Sequence, residues 1–139
     1  MIPRRSLLLG AMSALALPAH ASTGETPPAL DGARTVSAPE ARALIDKGAA
    51  VFDVRRRAAY LEGRLPKARS LQKASATNAF DPAMFGAGKA APLVIYGHGS
   101  DGWSAVDAVK TAVGAGFTQV HWLRGGWTEW SKAGLPSEE

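Results

Sequence analysis

The residues best equipped for chemistry lie in one stretch, Gly97-His98-Gly99-Ser100-Asp101-Gly102-Trp103-Ser104. A glycine-rich loop that opens a helix gathers backbone N–H groups toward one point, and the helix dipole adds partial positive charge there. That is the chemistry of an anion cradle, although tight strand–helix turns also use glycine for backbone reasons alone. His98 offers a donor or a base, and a lone loop histidine is by default exposed. Ser100 offers a hydroxyl. Ser104 reads as the cap of the following helix, because Asp107 stands three residues later. Asp101 either caps that helix or accepts from a cationic ligand, and its carboxylate works against anion binding. Trp103 could cover a ligand at the loop mouth or pack on the helix side. These side chains make no convincing nucleophile–base–orienter set.

Asp53 and Arg55 form a second group. Two residues apart at a strand end, they point to the same side and either pair with each other or frame the pocket. Arg56, Arg57, Arg64, Lys67 and Arg69 could add a basic rim, with a solvated surface as the default. The chain has no cysteine and only three histidines, His20, His98 and His121. This excludes disulfides, Cys-ligated metal centres and thiolate nucleophiles, and it argues against a His-rich metal site. No metal or cofactor is implied.

These groups need elements to position them. Ser37-Ala-Pro-Glu40 carries the pattern of a capping box with proline in the first turn, and Ala41, Leu44 and Ile45 continue as a helical stripe to Gly48. Ala50–Val54, Pro92–Tyr96 and Gln119–Leu123 are short apolar runs of strand type. Helical segments are predicted at Ala58–Glu62, Asp81–Phe85, Trp103–Ala115 and Trp127–Ala133, with Trp122, Trp127 and Trp130 as packing residues. Strands alternate with helices, so the fold class is α/β with a mainly parallel sheet. In such a sheet, ligands bind at the C-terminal strand ends, where both candidate groups lie.

The 139 residues include 16 basic and 12 acidic ones, and the pI of 9.8 at first suggests nucleic acid. Met1–Ala21 instead reads as a secretory signal peptide. Arg4-Arg5 is its positive start, Leu7–Leu17 its apolar core, and Ala19-His20-Ala21 its cleavage site. The 11-residue core is too short for a membrane anchor, which needs about 20 residues. Arg4-Arg5-Ser6-Leu7-Leu8 also partly matches a twin-arginine export motif. Removing 21 residues leaves 118, with 14 basic against 12 acidic, a net of +2 and no long cationic run. Nucleic acid is therefore a poor partner. A periplasmic or secreted location is expected, with residues 22–35 as a flexible lead-in and 36–139 as the domain.

The series Val51-Phe-Asp-Val-Arg55, Gly63-Arg-Leu-Pro-Lys-Ala68, Leu93–Tyr96 with its loop and helix, Gly116-Phe117, Leu123-Arg-Gly-Gly-Trp127, Trp130 and Ala133-Gly-Leu-Pro136 resembles the rhodanese-like (sulfurtransferase) domain. The resemblance spans about Val36 to Pro136. It implies a central parallel five-stranded sheet with helices on both sides. It also implies a cysteine directly after the strand Pro92–Tyr96, which takes a sulfane sulfur as a persulfide. Gly97 stands there, so no covalent intermediate can form. Arg64 replaces a usual His and Lys67 a usual Gly. The loop is one residue longer than the common form, and the usual Arg-Ser helix start reads Trp103-Ser104. The loop is also similar to an exported branch with two cysteines followed by Trp (CxxCW type), some of it linked to quinoprotein alcohol oxidation. Both cysteines would be glycines here, Gly97 and Gly102.

The resemblance, together with the signal-peptide pattern, thus implies an exported module without sulfurtransferase activity. It would bind a small oxyanion, a sulfur compound or a periplasmic partner protein through Gly97–Ser104. The alternatives are non-thiolate chemistry by His98, Ser100 or Asp101, and a structural subunit of a periplasmic oxidation system.

Overall fold

The computed structural model describes residues 24–139, so the expected signal peptide at 1–21 lies outside the described residues. Five strands form one sheet: β1 (Ala33–Thr35), β2 (Ala50–Asp53), β3 (Ala68–Ser70), β4 (Leu93–Tyr96) and β5 (Val120–Leu123). Their spatial order is β1-β5-β4-β2-β3, and every pair is parallel. Helices α1 (Ala38–Asp46), α2 (Arg57–Glu62), α3 (Trp103–Gly114) and α4 (Gly126–Lys132), with a 3-10 turn at Pro82–Phe85, complete the domain.

The register explains why the central strands read as unbroken apolar runs. Phe52, Ile95 and Trp122 lie side by side across β2, β4 and β5 and face α3, packing with Val106 and Val109. One residue on, Asp53, Tyr96 and Leu123 form the next row. Tyr96 and Leu123 pack on the opposite face with Ile45 of α1 and Trp130 of α4. Alternation of side chains along each strand sends these two rows to opposite sides. Both sides are covered by helices, so neither row can be polar without a partner.

The start of α1 shows how local sequence and tertiary contact share one task. The first N–H groups of a helix have no partner within it. Ser37 N–H donates to Glu40 Oε1 at 3.1 Å, and Glu40 N–H donates to Ser37 Oγ at 3.3 Å, forming the expected capping box. Pro39 has no N–H. The remaining donor, Ala38 N–H, is met by the Glu129 carboxylate from α4, 91 residues away.

Two sequence expectations are corrected. The segment 22–35, expected as a flexible lead-in outside the core, contains β1, which pairs with β5 through Ala33, Arg34 and Thr35. Its earlier part is a strap. Thr26 is 3% exposed, and its N–H and hydroxyl both donate to Ser100 O, at 2.8 and 2.6 Å. Arg124 Nη2 donates to Thr26 O at 2.6 Å. Glycine and proline suited this segment to an irregular path, but the backbone groups of Thr26 are satisfied by residues 74 and 98 positions away. Second, neither Ser104 nor Asp101 caps α3. The N-cap is Gly102, with no side-chain bond, and Trp103 N–H donates to the backbone carbonyl of Asp101 at 3.1 Å.

Candidate functional site

Strand β2 leads through α2 to β3 on one side of the sheet order, whereas β4 leads through α3 to β5 on the other. The chain leaves these neighbouring strands in opposite directions, which opens a crevice between their C-terminal ends. A cavity of about 470 Å³ lies there. After β2 come Val54, Arg55 and Arg56; after β4 come Gly97, His98 and the start of α3. Part of each group singled out by chemistry thus lines this crevice: Arg55 from one, and Gly97, His98 and Asp101 to Ser104 from the other.

The loop is built by turning its carbonyls aside. Gly97 O accepts from Trp127 N–H at 2.9 Å, and His98 O accepts from Thr128 N–H and Thr128 Oγ1, both at 2.9 Å. Gly99 O accepts from Gly102 N–H, and Ser100 O from the Thr26 strap. All peptide bonds here are trans, so each N–H points opposite to the carbonyl before it. The N–H groups of His98 and Gly99 therefore face away from α4, and no backbone or side-chain acceptor among the described residues takes them or those of Ser100 and Asp101. This is a donor-rich turn of the kind that favours anions.

Gly126 makes that arrangement possible. It has φ +57°, and a Cβ there would fall 2.4 Å from Gly97 O and 2.8 Å from Gly99 N. The Gly-Gly-Trp pattern is a close approach of α4 to the loop. At Gly97 the opposite holds: a Cβ would meet Ala105 Cβ at 3.4 Å and Val54 Cγ2 at 3.8 Å, ordinary contacts.

Asp53 and Arg55 form a buried network under the crevice, 0% and 4% exposed. Arg55 Nη2 donates to Asp53 Oδ2 at 2.7 Å and to Gly63 O at 2.5 Å. Tyr96 Oη donates to Asp53 Oδ2 at 2.6 Å and accepts from Leu65 N–H at 3.1 Å. The guanidinium lies over Trp127 at 4.7 Å. Burial, reinforced by the Asp53 carboxylate, holds the Tyr96 phenol far above its ordinary value of 10.0. Arg55 reaches the cavity wall; Asp53 sits behind it and binds its neighbours. The Asp-Val-Arg and Gly-x-Leu-Pro patterns meet in this network, which locks β2, β4 and the segment after α2 together.

Other candidates separate. Gly99 and Ser100 turn to a shallower depression on the α4 side, with Glu25 and Thr128, and Ser100 Oγ donates to Glu25 Oε1 at 3.3 Å. His98 is exposed, and among the described residues no nucleophilic side chain is hydrogen-bonded to its ring; the Thr128 hydroxyl meets only its backbone carbonyl. Trp103 is half-buried in the cavity wall, its indole N–H donating to Gly24 O at 2.9 Å. Of the basic rim, only Arg56 lines the cavity. Arg64 stacks on Tyr60 at 4.5 Å and bonds Glu139 O, and Lys67 N–H bonds Glu138, so both belong to the C-terminal tail.

The sequence reading missed Lys73 and Phe80, which line the cavity from the β3–β4 connection. Lys73 is held by Asp107 at 2.6 Å. Nothing in their spacing marks them, because irregular chain brings them to the crevice. Among the described residues no three His, Asp or Glu side chains converge as a metal site.

The rhodanese-like domain profile matches residues 37–133. A Rhodanese_3 like domain from the Alr3790 protein of Anabaena sp. is 28% identical with a TM-score of 0.55, covering 66% of this chain and all of its own. The BH2092 protein from Bacillus halodurans is 25% identical with a TM-score of 0.63, covering 76% of each chain. A thiosulfate sulfurtransferase from Pseudomonas aeruginosa has a TM-score of 0.61 over 77% of this chain and 20% of its own; at 24% identity this likeness concerns the fold. No curated protein matches the sequence.

Proposed function

This chain belongs to the rhodanese-like domain family and has its fold, and from that premise we propose that it is an exported pseudoenzyme. It binds a small anion, a sulfur compound or a partner protein's segment at the Gly97–Ser104 loop and transfers no sulfur. One observation carries this reading. Gly97 is buried at the end of β4, beside the donor-rich turn, at the position where the family pattern puts the sulfur-carrying cysteine. The chain holds no cysteine anywhere to replace it. Sulfur transfer needs a thiolate to form the persulfide bond. Binding does not, and the donors, Arg55 and Arg56 remain around the crevice. The export part rests on the Met1–Ala21 pattern. A partner in a periplasmic oxidation system is suggested by Trp103 following the second glycine that stands at a cysteine position.

The test is a thiosulfate:cyanide assay paired with calorimetry. The purified protein forms no thiocyanate above a heat-killed control, and turnover would overturn the reading. Thiosulfate, sulfite, sulfate or phosphate gives measurable heat; silence from all four would remove the anion-binding part. In Gly97→Cys, where the Cβ fits, mass spectrometry after thiosulfate treatment should show one added sulfur. An inert variant would mean that the loop has diverged beyond the missing atom.

A further inference from the structure

Resting on that reading, we propose that the crevice takes an organic monoanion: a flat apolar body carrying one sulfonate-type group, in preference to a bare inorganic oxyanion. Size is the first argument. The cavity holds about 470 Å³, whereas a water takes roughly 30 Å³, so a five-atom oxyanion would leave most of it unfilled. Pockets of about 300–1,000 Å³ ordinarily hold organic ligands.

The walls give the second argument. Phe80 and Trp103 are both part of the lining, with Val54 and Ala105 beside them. An inorganic anion gains nothing from such surface; an aromatic body does. Lys73 Nζ lies 5.6 Å from the Phe80 ring centroid, so a cation and an aromatic wall are adjacent, as a ligand with both characters requires. Gly97 puts no side chain into the crevice between Val54 and Ala105.

Charge sets the valence. Arg55 is neutralised by Asp53 and Lys73 by Asp107. Arg56 is exposed and has no ion pair among the described residues. Asp101, also in the lining, opposes a second negative charge. One unspent cation beside one carboxylate suits a monoanion better than a dianion such as sulfate.

Calorimetry on the full chain at one ionic strength tests this with benzenesulfonate, sulfate and benzyl alcohol. Benzenesulfonate should bind about tenfold more tightly than sulfate, from burial of its ring, and more tightly than benzyl alcohol. Arg56→Gln should weaken benzenesulfonate about threefold and leave benzyl alcohol unchanged. Sulfate binding as tightly as benzenesulfonate overturns the inference and leaves the anion-binding loop standing. Benzyl alcohol matching benzenesulfonate, or an unchanged benzenesulfonate affinity in Arg56→Gln, also overturns it. Silence from both anions overturns the inference and the loop reading together.

Discussion

Asp53, Arg55 and Tyr96 show how motif residues can be mistaken for chemistry. A carboxylate, a guanidinium and a phenol at strand ends resemble an active site, yet each spends its polar atoms on the others, on Gly63 O and on Leu65 N–H. An ion pair this deeply buried persists only with such complete satisfaction. Tyr96→Phe should therefore cost about 2 kcal/mol in urea unfolding, because Leu65 N–H is left buried without its acceptor while Asp53 Oδ2 loses one donor and keeps only Arg55. It should also change the alkaline limb. In the unfolded chain the phenol ionises near 10.0, while the folded phenol keeps its proton above that value. Above pH 10 the folded state thus binds more protons, so stability falls as pH rises past it. Tyr96→Phe should remove that part of the decline, and an unchanged limb would contradict the assignment. The spacing of Asp53 and Arg55 made their pairing legible. Tyr96 was not legible as their partner, because it lies 43 residues from Asp53 and meets it only through the β2–β4 register.

The loop between β4 and α3 is shaped by its neighbours more than by its own side chains. Ser37 and Glu40 lie three residues apart and form their capping box locally, so that pattern could be read directly, whereas the distant Glu129 that meets Ala38 N–H could not. Ser104 followed by Asp107 gave the same local signal and failed. The Thr26 strap and the N-terminus of α4 hold the loop carbonyls, the helix starts after Gly102, and Asp107 is drawn to Lys73. Gly126 is where this control is most exposed to mutation. Gly126→Ala combines a left-handed backbone with a Cβ overlapping Gly97 O, and should cost about 3 kcal/mol or more by chemical denaturation. A loss below 1 kcal/mol, on the order of an ordinary surface substitution, would show that the α4–loop approach is not tight.

At the scale of the whole molecule, the loop beside the crevice is held by chain segments far apart in the sequence. Thr26 and Arg124 are 98 positions apart and joined by two hydrogen bonds; Arg124 also donates to Pro27 O, and Thr26 in turn holds the loop carbonyl of Ser100. Arg124→Gln should release the strap without disturbing the sheet. Hydrogen exchange at the Thr26 amide should then speed about tenfold, as expected for losing roughly 1–2 kcal/mol of local protection. Unchanged exchange would show that the strap is held elsewhere. By itself, the sequence determined the alternation of elements, the central strands, the α1 cap, and the absence of any thiolate at Gly97. Those depend on composition and on periodicity within a few residues, where side-chain alternation and helix repeat are set by local geometry. Only the tertiary structure decided which candidates share a cavity. It brought in Lys73 and Phe80, turned Ser100 away, drew Asp53 behind Arg55, and made the lead-in a strand and a strap. A parallel sheet pairs residues that lie far apart in the chain, and irregular segments take their paths from whatever distant groups satisfy their backbone.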